Sequence, residues 1–187
     1  TLEALCEEME ARYSHLSVGS ISNIVEYNKQ ASTPHERWPY IVTIIDEYAD
    51  LTIPAGREEE SRYISREITE SIIRLAQKGR AVGIHIILAT QRPSKKVITD
   101  SIKATFPTRI AVRTMTRADS RVILDSPGAE NLAGGGDMIF KIDTETERIQ
   151  GSYISPEEIN RLTTYVESQS CKKTPYTLPE PDSAPKA

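Results

Sequence analysis

Two acids, Asp46 and Glu47, follow directly on the strand-forming run Tyr40 to Ile45 in PYIVTIIDEYAD. Such a run, apolar on both faces, predicts a buried strand of a parallel sheet. A buried strand carries its last residues rigidly to the carboxyl end of the sheet, where open α/β folds bind ligands. This is what a Walker B strand requires. Asp46 is then suited to hold the water shell of Mg²⁺, a hard cation that takes one or two carboxylates beside phosphate oxygens. Glu47, one residue on, points elsewhere and is suited to polarise an attacking water. A second apolar run, Ile84 to about Thr90 in GIHIILATQRP, ends in Thr90 and Gln91. A polar pair at that tip, beside the first, can sense a γ-phosphate or orient water.

The second chemical signal is charge. The chain has 187 residues and a net charge of −4. Between Arg80 and Arg121, however, stand Arg80, Arg92, Lys95, Lys96, Lys103, Arg109, Arg113, Arg117 and Arg121, opposed only by Asp100 and Asp119. That window carries +7 and leaves −11 for the remainder. It reads as a face for the phosphates of a nucleotide or a nucleic acid. Phe106 is the one aromatic residue inside it, so base stacking on a single strand is not indicated. Arg109 and Arg113 fall in a strand pattern, where they are structural or face the nucleotide.

The elements that must position these residues follow from periodicity. Helices are predicted over 2–16, about 20–31, 58–78, 117–124 and 156–167. The helix over 58–78 repeats Ile64, Ile68, Ile72 and Leu75 and is stopped by Gly79. Besides the two strands above, TRIAVRT (108–114) is a third strand candidate, and 137–142 with 147–154 form a hairpin. Strands alternating with helices imply an α/β fold with a parallel sheet. Residues 1–170 read as one domain. Residues 171–187, with four prolines from Pro175 on, read as a flexible tail or linker. Cys6 and Cys171 read as free thiols, because neither a CxxC nor a Cys/His cluster occurs. No apolar run reaches the roughly 20 residues of a membrane span. The first residue is not Met, so a piece of a longer protein is expected.

The segments LxxLCEEMExRY, PYIVTIIDEYADL, IIRLAQKGRAVGIHIILATQRP, VITDSIKATFPTRIAVR and DSRVILDSPGAENLAGGGDM closely resemble the motor of FtsK/SpoIIIE-family DNA translocases, from about residue 5 to 155. The resemblance implies a RecA-like P-loop NTPase fold and an ATP- and Mg²⁺-dependent motor. Such a motor assembles into a hexameric ring and moves double-stranded DNA in chromosome segregation and cell division. It acts on the cytoplasmic side of the bacterial cell, in some cases anchored in the inner membrane by an N-terminal region. The resemblance matches Asp46 and Glu47 to the Walker B acids and Gln91, with Thr90, to the sensor. Arg80 falls at the arginine that reaches a neighbouring subunit's ATP. Arg92 and Lys103 match one DNA-contacting pore loop, to which Lys95 and Lys96 add charge, and Arg117 and Arg121 match a second. Arg117 stands where related sequences often carry Lys. The chain departs from the family in having no GxxxxGK(S/T) phosphate loop. The expectation is therefore the C-terminal portion of a motor, without the Walker A strand and loop, and inactive by itself. Two other readings remain: a catalytically silent DNA-binding or ring-assembly module, and a conjugation or secretion coupling ATPase. The continuous ATQRP and DSRxILD matches count against the last.

Overall fold

The computed structural model describes residues 1–53, 59–169 and 177–179. The proline-rich tail expected over 171–187, with Cys171, lies almost wholly outside them. The described residues divide into two compact units, one running to Phe106 and the other beginning at Pro107.

The first unit is an α/β layer. Helices α1 (Leu2–Gly19) and α2 (Ile24–Gln30) precede β1 (Ile41–Ile45); α3 (Tyr48–Thr52) and α4 (Glu59–Lys78) follow it. A 3-10 turn, Gly79–Val82, leads into β2 (Ile84–Leu88), and α5 (Asp100–Thr105) closes the unit. Strands β1 and β2 pair in parallel, from Ile41 opposite Ile84 to Ile45 opposite Leu88. One face of this pair meets the core. Leu5, Met9 and Leu16 of α1 and Leu75 of α4 gather with Val82 and Ile84, and Ile41 and Ile86 pack against them. The amphipathic repeat of α4 therefore buries Ile72 and Leu75 completely, as its 3–4 residue spacing requires.

The expectation of a strand buried on both faces does not hold. Val42 and Ile44 are 57% and 67% exposed, and Ile87 is 51% exposed. Helices cover only one side of this two-stranded sheet among the described residues, so the alternate side chains remain bare.

The second unit is antiparallel. Strand β3 (Thr108–Val112) is followed by α6 (Arg117–Leu124), β4 (Asp137–Ile142), β5 (Glu145–Gln150) and α7 (Pro156–Ser168). The sheet order is β3-β4-β5. TRIAVRT thus forms its strand, yet its partner is β4, antiparallel, from Thr108 opposite Ile142 to Val112 opposite Met138. The hairpin register also differs from expectation. Only Asp143 and Thr144 make the turn, Asp143 taking φ 51, so Glu145 already pairs with Ile142. Asp tolerates the left-handed region through its short polar side chain, and the polar residues expected in a longer turn became strand. Ala111, Leu124, Ala129 and Leu132 form this unit's core.

Candidate nucleotide and DNA site

The ladder between β1 and β2 continues past both strands. Ala89 donates its amide to Ile45 O at 2.8 Å, and Tyr48 donates to Ala89 O at 2.8 Å. The two tips, Asp46-Glu47 and Thr90-Gln91, are therefore stitched side by side. Tyr48 and Ala49 anchor the first tip from below, at 2% and 0% exposure, among Ile72, Val97 and Ile102. Burial pushes the Tyr48 phenol up from its ordinary range.

On this base the two acids differ. Asp46 is exposed and accepts no side-chain hydrogen bond among the described residues. Glu47 is engaged on both oxygens. Thr90 Oγ1 donates to Oε1 at 2.5 Å, Ala49 N to Oε1 at 3.3 Å, and Gln91 N to Oε2 at 3.0 Å. These donors favour the ionised form. The Thr90 hydroxyl chiefly, then the Gln91 amide, holds the Glu47 carboxyl below its ordinary value. A free carboxylate at a strand tip fits a hard cation that shares its shell with phosphates. Among the described residues no group of three or more His, Cys, Asp or Glu forms a cage of its own. One exposed carboxylate is a donor set that fits a magnesium ion taking its other oxygens from phosphate and water. A phosphate cradle is not part of the chain's sequence.

Arg80 is exposed on the 3-10 turn, ahead of β2. Both strands run from that end towards Glu47 and Gln91, so five residues of strand, about 16 Å, separate Arg80 from the acids of its own chain. Two residues of α1 hold the turn at its two ends. Tyr13 OH donates to Lys78 O at 2.8 Å. Arg12, 2% exposed, donates to Val82 O at 2.8 Å, Pro39 O at 3.0 Å and Glu8 Oε1 at 2.6 Å. Its guanidinium lies 5.4 Å from the Trp38 ring centroid. Gly83 ends the turn at φ 80, where a Cβ would run into Ile24 Cδ1. Sequence reasoning put Tyr13 on the apolar face of the first helix and gave neither Arg12 nor Tyr13 a part in presenting Arg80. The Glu8–Arg12 spacing of four on an apolar helix was the available signal.

The basic residues fall on both units. Arg92, Lys95 and Lys96 are exposed on the segment after β2. Arg92 Nη1 lies 3.4 Å from Asp50 Oδ1. Lys103, expected on a loop, stands on α5 and pairs with Asp100 at 3.4 Å, its side chain 21% exposed. Arg117 and Arg121, which the resemblance matches to a second pore loop, lie four apart on α6, the helix expected over 117–124, in the second unit, and both are exposed. Their helix begins with a capping box formed by Thr116 and Asp119. Arg109 is structural: Nη1 donates to Ile123 O at 2.9 Å and to Asp125 Oδ2 at 2.8 Å. Lys141 meets the same Asp125 at 3.3 Å.

The FtsK/SpoIIIE family model matches residues 1–95, just over half of the chain. DNA translocase FtsK of Chlorobaculum tepidum is 45% identical over 185 residues, covering 98% of this chain and 22% of that protein. DNA translocase SftA of Bacillus subtilis is 44% identical over 173 residues, covering 90% of this chain and 17% of that protein. The chain thus spans about a fifth of these curated relatives. Among solved structures, the pCW3 conjugation coupling protein TcpA, in its monomer form with ATPγS, superposes with a TM-score of 0.77. It is 30% identical, and the match covers 88% of this chain and 47% of that one. The cytoplasmic domain of the type VII secretion ATPase EccC of Thermomonospora curvata gives a TM-score of 0.67 at 27% identity, over 82% of this chain and 17% of that one. With its paired strand tips and these matches, the chain belongs to the FtsK/SpoIIIE family and has the α/β fold of RecA-like ATPase domains.

Proposed function

We propose that this chain is the Walker B-to-C-terminal part of an ATP-driven motor that moves double-stranded DNA in chromosome segregation and cell division. The observation that carries this reading is the stitched pair of strand tips, with an exposed Asp46 beside a hydrogen-bonded Glu47 and with Thr90 and Gln91 opposite. Asp46 would hold the water shell of Mg²⁺, which when bound neutralises charge on the β- and γ-phosphates. Glu47 would polarise the attacking water, and Gln91, with Thr90, would register the γ-phosphate. Arg80 stands at the opposite end of the strands from its own acids, a placement that supports action on a neighbouring subunit's ATP in a ring, taken to be hexameric. A guanidinium suits that task because its fixed fork of donors matches phosphoryl oxygens. Arg92, Lys95, Lys96, Lys103, Arg117 and Arg121 would contact DNA phosphates, which position without reading sequence.

Without a phosphate loop the chain alone would bind ATP weakly and turn none over, since no backbone nest would cradle the phosphates. No described helix is long and apolar enough to cross a membrane. On the family resemblance, the motor would act on the cytoplasmic side of the bacterial cell. The test is Glu47→Gln in the full-length protein: ATP binding persists while turnover falls by a factor of about 10² or more. Unchanged turnover would remove Glu47 from the mechanism, whereas no turnover in the unsubstituted full-length protein would favour a silent DNA-binding module.

A second reading, a conjugation or secretion coupling ATPase, is favoured by the likeness to TcpA. ATP-driven stripping of a third strand from linear duplex DNA by the full-length protein separates the two. A motor that tracks along duplex DNA displaces the third strand, and a coupling ATPase that does not track leaves it in place.

A further inference from the structure

The hydrogen bonds on Glu47 leave little of it for water. A carboxylate offers about four lone-pair sites, and three are filled by Thr90 Oγ1, Ala49 N and Gln91 N. Of the three, only Thr90 contributes a side chain; the other two are main-chain amides fixed by the stitched tips. The Thr90 hydroxyl is itself held from the far side, because Arg92 N donates to its Oγ1 at 3.1 Å. A relay therefore runs from the Arg92 amide through the Thr90 hydroxyl to the Glu47 carboxylate. At its outer end the Arg92 guanidinium rests against Asp50, with the two side chains 64% and 62% exposed. An exposed ion pair of this kind is weak, and a phosphate oxygen presented to Arg92 competes with Asp50 for the same donors.

We propose that Thr90 is a positioning residue that latches Glu47 in a resting orientation, and that the Arg92 segment is the handle by which bound DNA releases it. The proposal rests on the reading of Glu47 as the water-polarising base and of Arg92 as a phosphate contact. When Arg92 turns from Asp50 to a DNA phosphate, its amide leaves Thr90 Oγ1. The hydroxyl is then free to rotate, and one lone pair of Glu47 becomes available to water. DNA contact and hydrolysis are in this way joined across two residues of one segment, Thr90 and Arg92.

The test uses the full-length protein with Thr90→Val, which removes the hydroxyl and keeps the branched shape, and Thr90→Ser, which keeps the hydroxyl. Turnover is measured with and without duplex DNA. The expected result for Thr90→Val is a rise of about tenfold in DNA-free kcat and a correspondingly smaller stimulation by DNA. Thr90→Ser restores the low basal rate and the stimulation. A DNA-free kcat that stays level or falls in Thr90→Val overturns the latch. If Thr90→Val does not fold, Thr90→Ser decides: loss of stimulation there, with the hydroxyl present, also overturns it. Glu47→Gln, run in parallel, separates this outcome from failure of the underlying reading. If Glu47→Gln keeps full turnover, the assignment of the base is wrong and the latch falls with it. If it abolishes turnover while Thr90→Val leaves the basal rate unchanged, only the latch is wrong.

Discussion

A guanidinium at 2% exposure is the most demanding single residue in the first unit. Arg12 is tolerated there because Glu8 neutralises it and the carbonyls of Pro39 and Val82 accept its protons. The same contacts tie α1 to the turn that presents Arg80, while Tyr13 holds the turn's other end. Removing the guanidinium takes the Arg12 donor from two carbonyls and its charge from beside Glu8. Arg12→Met is therefore expected to destabilise the fold by about 3 kcal/mol, read as a lower urea midpoint with an unchanged slope. A loss well under 1 kcal/mol would mean that water reaches these groups and that the clamp is dispensable. Glu47 presents the opposite case: a half-buried carboxylate that accepts from one side-chain hydroxyl and two main-chain amides.

At the scale of elements, the second unit depends on an ion pair between adjacent strands. Asp137 opens β4 and accepts Arg148 Nε at 2.8 Å and Nη2 at 2.6 Å from β5, with Ala133 N adding a third bond at 2.7 Å. The Arg148 fork chiefly, then the Ala133 amide, draws the Asp137 carboxyl from 3.8 down to about 2. A carboxyl lowered on folding contributes stability that is present in full above its unfolded value. That stability is lost as the pH falls from near 4 through about 2. Denaturation of the second unit followed at pH 6 and at pH 2 should show the wild-type advantage over Asp137→Asn shrinking at the lower pH. An equal difference at both values would place the unit's acid sensitivity elsewhere. The neighbouring Gly136 permits this arrangement: at φ 94, a Cβ there would meet Gly151 O at 2.5 Å, where Gly151 N donates to Gly136 O.

Across the whole molecule, the basic window is not one surface of equal charges. Arg109 is neutralised by Asp125, and Lys103 is largely covered and paired with Asp100. Arg92, Lys95, Lys96, Arg117 and Arg121 are the exposed members assigned to DNA. Phosphate contacts release condensed counterions, so each one steepens the salt dependence of binding. Lys95→Ala with Lys96→Ala, in the full-length protein on duplex DNA, should lower the slope of log affinity against log salt by roughly one unit per lost contact. Affinity should fall equally for unrelated sequences. An unchanged slope would place the DNA path away from this segment. The bare sheet face of Val42, Ile44 and Ile87, and the α7 residues Ile159, Leu162, Tyr165 and Val166 at 50% to 64% exposure, are apolar surfaces of the kind that mark contacts in larger assemblies.

Much of this was legible from local pattern. Helical spacing in Ile64, Ile68, Ile72 and Leu75 located α4 to within a residue, and the Thr116 and Ser155 capping boxes stand at the starts of two expected helices. The abrupt change from Ile45 to Asp46 marked the strand end and its acids, because strand and acid are neighbours in the chain. Other features depend on contacts between distant residues, and no local period encodes those. Arg12 is buried by Pro39 and Val82, 27 and 70 positions away, whereas its own helix shows only a charged residue among glutamates. Glu47 is turned by Thr90, 43 positions on, while Asp46 is left exposed. TRIAVRT has the composition of a strand that any partner could use, and its antiparallel pairing with β4 came from the chain's return through Gly134, Gly135 and Gly136. Side-chain periodicity specifies an element and its faces; which face is covered, and which hydroxyl meets which carboxylate, follows from how the elements pack.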